Sequence, residues 1–151
     1  MRLILELYSL LPLTVDNLMK LEPQPFQRHD HEYLCSLDLK SILGGMKGCC
    51  AARGDTVISA SGILRIWTGR WQGWSVYSVR ATVRDFVYIR NQTRLFLDGV
   101  DANRIEITVL LDFVGGHSYA RSLGFTAEGV MRKYDMLGRD HVLYSRVSNG
   151  S

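Results

Sequence analysis

At 151 residues, with 46% hydrophobic and 22% charged side chains, the chain has the size and composition of one soluble globular domain, taken as 1–151. Its net charge of +3 is mildly basic, and without a long block of like charges it gives a nucleic-acid partner no support. The apolar run from Leu3 to Leu13 is broken by Glu6 and Pro12 and is too short to span a bilayer, so no membrane segment is expected.

Arg2 to Ser9 reads as a buried first strand. Thr14 can cap a helix running through Leu21, which Pro23 and Pro25 stop. In His29-Asp30-His31 the two histidines fall on opposite sides of a helix, so no metal site is expected. Asp30 is read instead as the N-cap of a second helix over 30–43, ended by Gly44-Gly45. Strands follow over Lys47–Ala52 and Thr56–Trp67, joined by a turn at Arg53-Gly54-Asp55, and over Trp74–Val79 after a polar turn from Gly69 to Gly73. These strands form an antiparallel meander. Trp67, Trp71 and Trp74, interleaved with Arg65 and Arg70, are read as sealing one end of the core, with stacking on a base or adenine ring as the alternative. Cys35, Cys49 and Cys50 show no CxxC spacing and are read as free thiols in a reducing cytoplasm.

Thr82 and Asp85 have the spacing of a capping box, and Phe86, Ile89, Thr93, Phe96 and Leu97 share one face, which predicts a helix over Val83–Asp98. A helix start after a strand presents free N–H groups and partial positive charge, a place that suits a pyrophosphate, and Arg80 and Arg84 would add charge there. Ile105, Ile107, Val109 and Leu111 alternate as in a half-buried strand. His117–Leu123 can form a short helix stopped by Gly124, and two β-prone runs then flank a reversal at Leu137-Gly138-Arg139-Asp140.

The block from Arg104 to Val147 carries Leu123-Gly124-Phe125, then Glu128-Gly129-Val130-Met131-Arg132, then Asp140 four residues before Tyr144-Ser145. In this order the three strings resemble the C-terminal half of the GCN5-related N-acetyltransferase (GNAT) family, nearest to the branch that acetylates protein N-termini. The resemblance implies a mixed α/β fold of the α+β kind, with a central, mostly antiparallel sheet and element order β-α-α-β-β-β-α-β-α-β-β. It implies acetyl-CoA as acyl donor and an amine acceptor, in a cytoplasmic monomer or homodimer, with the first two helices shaping acceptor choice.

On this resemblance the cofactor is expected along Val76, Tyr77 and Ser78, where the family's backbone holds the pantetheine arm, and at the phosphate loop Arg80, Ala81, Thr82, Val83, Arg84 and Asp85, with Asp112 before the later helix. The loop departs from the family pattern, for it contains no glycine. The family's acid is a tyrosine four residues ahead of the Leu-Gly-Phe glycine, where this chain has Ala120, and Tyr119 stands one residue away. Tyr119 as acid, Glu106 as base and the Ser78 hydroxyl are the catalytic candidates, while Glu128 is expected to pair with Arg132. Two functions follow: an N-acetyltransferase working by direct attack of a primary amine, or a non-catalytic descendant of the fold serving as an interaction or phage virion-associated protein.

Overall fold

The computed structural model describes residues 7–38, 41 and 45–148. The elements are β1 (Tyr8–Pro12), α1 (Val15–Lys20), a 3-10 turn (Pro25–Gln27), α2 (Arg28–Ser36), β2 (Met46–Arg53), β3 (Thr56–Trp67) and β4 (Arg70–Tyr77), then α3 (Val83–Asp98), β5 (Arg104–Leu110), α4 (Val114–Ser122), β6 (Thr126–Met131) and β7 (His141–Val147). The strands form a seven-stranded sheet in the order β1-β2-β3-β4-β5-β7-β6. Pairs β1–β2, β2–β3, β5–β7 and β6–β7 are antiparallel and β4–β5 is parallel. This is the expected α/β fold in the expected element order. No helix among the described residues is long and apolar enough to cross a membrane. The chain divides into two compact units, one running to Leu64 and including Trp74–Ile89, the other containing Arg65–Gly73 and everything from Arg90 onward.

In the first unit, β1 lies later than expected, at Tyr8–Pro12 instead of Arg2–Ser9, and residues 2–6 of that expectation lie outside the described residues. Only Tyr8 of β1 is buried, because the strand ends the sheet and faces β2 alone. That edge position tolerates Pro12, which has no N–H to offer. Thr14 caps α1 as anticipated, its Oγ1 accepting from Asn17 N at 3.1 Å. Helix α2 starts at Arg28, ahead of Asp30, since the 3-10 turn begun by Pro25 feeds straight into it. It closes at Ser36, and positions 39, 40, 42 and 43 of the longer helix expected lie outside the described residues. Gly54 turns β2 into β3 with φ +57°. Strand β4 begins at Arg70, four residues before the expected start, because Thr68-Gly69 alone makes the reversal and Gly69 takes φ +86°. The core gathers Leu13, Leu18, Leu21, Met46, Cys50, Val57, Ala60 and Val76, with Trp74 packed against it. All three thiols are free. Burial pushes each of them up, Cys50 to about 11.

In the second unit, α4 packs against β5 closely enough that a Cβ on Gly116 would meet Val109 Cγ1 at 2.7 Å. Gly124 stops α4 with φ +89°, and Phe125 N closes the turn on Ala120 O at 3.1 Å. Ile105, Val109, Leu123, Phe125, Val142 and Tyr144 are buried. The reversal expected at 137–140 is a wider loop from 132 to 140, wound around Asp135. That carboxylate accepts from Leu137 N at 3.0 Å, Arg139 N at 2.9 Å and Arg139 Nε at 2.6 Å. Strand β6 bulges between Ala127 and Gly129. Trp71 is buried, and Trp67 is exposed under the Arg70 guanidinium, 4.3 Å from its ring.

Candidate functional site

The junction from β4 into α3 uses its own main-chain donors. Ser78 Oγ accepts from Arg80 N at 3.0 Å and Ser78 O from Ala81 N at 3.1 Å. Thr82 and Asp85 form the reciprocal capping box: Asp85 N donates to Thr82 Oγ1 at 3.2 Å and Thr82 N to Asp85 Oδ2 at 2.9 Å. Phe86 N closes the first helical bond on Thr82 O at 3.0 Å, and Val79 N donates to Glu22 O at 2.8 Å. At this helix start the Asp85 carboxylate therefore takes one main-chain donor, Thr82 N. Val83 does not block it, being 83% exposed. A loop without glycine favours this outcome, since the chain turns tightly into the helix and its own acid answers the N-cap amide.

Asp85 is completely buried. Tyr8 donates its hydroxyl to Oδ1 at 2.6 Å, and Arg53 Nε lies 3.1 and 3.3 Å from the two oxygens. Burial pushes this carboxyl up, but the bonds from Thr82, Tyr8 and Arg53 outweigh it and hold the group below the usual carboxylate range. The Tyr8 phenol, buried and bonded to that carboxylate, is pushed up to about 12. A cleft of about 410 Å³ lies beside the helix start, lined by Leu7, Tyr8, Arg53, Thr82, Val83, Arg84 and Asp85.

The strand expected to carry the cofactor arm is also occupied. Ser78 N donates to Ile58 O of β3 at 2.9 Å, so by strand alternation the polar main-chain groups of Ser75, Tyr77 and Val79 point away from β3. Pairing with β5 covers only Arg70, Trp71 and Gln72. Beyond it, the chain from Glu22 to Gln27 takes this edge. Pro23 bridges Ser78, Gln24 N donates to Tyr77 O at 3.1 Å, and the buried Gln27 side chain binds both Tyr77 N (2.8 Å) and Ser75 O (3.0 Å). Val76 is in the core, and Ser78, 1% exposed, spends its hydroxyl on Arg80 N, so it has no face to offer a thioester or amine. Arg80 pairs with Glu22 at 3.1 Å, both largely exposed, and Ala81 follows it in the turn. Arg84 is exposed on the cleft. In this conformation the edge of β4 from Ser75 to Val79 is paired, and the Asp85 carboxylate takes the Thr82 amide at the start of α3.

Tyr119, Glu106 and Asp112 belong to the second unit. The Tyr119 hydroxyl stands 3.5 Å from Thr93 Oγ1, at the outer limit of a hydrogen bond. Glu106 is held by Arg70 NH2 at 2.8 Å and Arg104 Nε at 2.6 Å. The Arg70 bond first, with Arg104 beside it, keeps this carboxyl low against the push of burial, which makes it a weak base. Asp112 is exposed in the turn before α4. Glu128 pairs with Arg104 and accepts from Ser145 Oγ at 2.6 Å, not with Arg132 as expected, because the bulge in β6 turns it toward β5 and β7.

Sequence reasoning missed two contacts. Gln27 carries no local signal beyond the prolines around it. His117 lies three residues before Ala120 and so near the face where the resemblance expects its tyrosine. Its Nε2 is 2.8 Å from Leu111 O, which can only accept, so Nε2 carries the proton and Nδ1 accepts from the buried Tyr144 hydroxyl at 2.7 Å.

No family profile and no curated protein matches this sequence. Solved structures do share its fold. The ribosomal-protein-S5-alanine acetyltransferase of Vibrio fischeri is 13% identical with a TM-score of 0.67, covering 95% of this chain and 94% of that one. A mutant of the spermidine N-acetyltransferase SpeG from Vibrio cholerae is 12% identical, TM-score 0.67, over 94% of each chain. The microcin C7 self-immunity acetyltransferase MccE, solved with acetyl-CoA and AMP, is 15% identical, TM-score 0.61, over 79% of this chain and 71% of that one. At these identities the likeness establishes the GNAT fold.

Proposed function

We propose that the chain is an N-acetyltransferase that moves acetyl from acetyl-CoA to a primary amine, on a protein or a small molecule, in the cytoplasm. The observation that carries this reading is that its fold follows, over nearly the whole of both chains, two enzymes named for acetylating amines. The exposed Arg84 beside a cleft at a helix start supports a place for phosphate, and Tyr119 on α4 is the hydroxyl proposed for the departing thiolate.

A second reading, a non-catalytic interaction or virion-associated protein on the same scaffold, is favoured by the two occupied positions, Asp85 in the helix start and Gln27 on β4. Fold survives the loss of chemistry. The deciding experiment incubates the full chain with acetyl-CoA and a panel of amines, spermidine and N-terminal peptides among them. It follows acetylated acceptor by mass spectrometry and CoA binding by calorimetry. Turnover of any acceptor establishes the enzyme; no product, together with no heat at millimolar acetyl-CoA, leaves the second reading.

A further inference from the structure

We infer that the segment Glu22–Gln27 is a built-in competitor for acyl-CoA, holding the edge of β4 that the cofactor's arm would pair with. The inference rests on the reading of the chain as an acyl-CoA enzyme. The edge is defined by Ser75 O, Tyr77 N, Tyr77 O and Val79 N, and each has a partner from this segment: Gln27 Nε2 at 3.0 Å, Gln27 Oε1 at 2.8 Å, Gln24 N at 3.1 Å and Glu22 O at 2.8 Å. A glutamine side chain ends in the same amide as a peptide bond, so Gln27 completes with its side chain a ladder that its backbone, already in the 3-10 turn, cannot reach. A pantetheine arm is an extended chain with two amides, and such chains bind strand edges by main-chain pairing. The two occupants make the same bonds and exclude one another.

The segment is built to let go. Pro23 has no donor, Pro25 ends the main-chain pairing, and a further tie, Glu22 with Arg80, is an exposed ion pair of little strength. Release would free four main-chain groups at once. The apparent affinity for the cofactor is then the intrinsic one scaled by the fraction of molecules whose edge is open.

The test is calorimetry of coenzyme A with the full chain as wild type, Gln27→Ala and Gln27→Glu, together with hydrogen exchange read at Tyr77, Val79 and Gln24. Two lost bonds in Gln27→Ala, and in Gln27→Glu one lost bond with a carboxylate oxygen set against Ser75 O, predict on the order of tenfold tighter binding in both variants. In wild type, bound CoA should keep Tyr77 and Val79 protected while Gln24 loses protection. Equal affinities in all three proteins overturn the competition and leave the enzyme reading standing. Weaker binding in the variants also overturns it, because Gln27 would then belong to the cofactor site. Absence of binding in every protein removes both readings. Should the variants fail to fold, as seen by circular dichroism, exchange in wild type decides: a Gln24 amide that stays protected with CoA bound overturns the inference.

Discussion

Asp85 shows how one side chain can redirect a site. Its carboxylate satisfies Thr82 N, receives the Tyr8 hydroxyl and faces Arg53, so the charge a diphosphate would bring is already present at the start of α3. Replacing Tyr8 by Phe keeps the ring stacked on Tyr88, at 4.3 Å and 11°, and removes only the hydroxyl. A hydrogen bond to a buried charge contributes about 1.5–3 kcal/mol, and Tyr8→Phe should lower unfolding stability in urea by that amount. An unchanged midpoint would mean that the hydroxyl is not bonded in solution. Arg84 lies at the same helix start but faces the cleft. Arg84→Glu should weaken coenzyme A binding by about tenfold in calorimetry, through lost charge-assisted bonding and added repulsion, with the melting temperature unmoved. Equal affinity would separate Arg84 from the cofactor.

Among elements, β2 and β3 are paired with Gly48 facing Gly62. A Cβ at position 48 would stand 2.4 Å from Ser61 O and 2.9 Å from Gly62 Cα, and both are backbone atoms that cannot swing aside. Gly48→Ala should therefore cost about 1–3 kcal/mol by denaturant titration, and an unaltered midpoint would show that the pair of strands can part freely. Elements defined by local chemistry were legible in the sequence. The capping box and apolar face fixed α3 at Val83–Asp98, and β3 matched at both ends because turn residues flank it. Strand β4 was read short because Gln72-Gly73 looks like loop, although the turn needs only Gly69. The phosphate loop was legible as a helix start but not as a filled one. The partners that hold the Asp85 carboxylate there, Tyr8 and Arg53, are 77 and 32 residues away along the chain. Gln27, 48 and 50 residues from its partners, was out of reach for the same reason.

At the scale of the molecule, four carboxyls among the described residues are held below their usual range. For Glu106 and Glu128 the largest cause is an arginine bond, from Arg70 and Arg104 in turn. For Asp85 and Asp135 burial pushes up most strongly, but Asp85's hydrogen bonds from Thr82, Tyr8 and Arg53, and Asp135's from His141, Arg139 and Leu137, prevail. Each group releases its proton more readily in the folded chain than in the unfolded one. Below the unfolded value of about 4 the unfolded chain thus binds more protons, and stability contributed above that pH is lost as pH falls through the folded values, about 2 for Glu128. Thermal melts should show Tm falling steeply from roughly pH 4 toward pH 2. In alkali, Tyr8 has the opposite sign: stability present below about pH 10 is lost as pH climbs through about 12. A Tm flat through the acid range would contradict the four bonded carboxylates.

Strand β6 ends the sheet and is solvent-exposed along all but its last residue, Met131. A straight border of unsatisfied amides invites identical chains to stack upon it. Here the extra residue at Glu128, anchored inward by Arg104 and Ser145, breaks that border midway. A neighbouring copy would find no continuous row to zip along, so the bulge guards this rim against fibrous self-association.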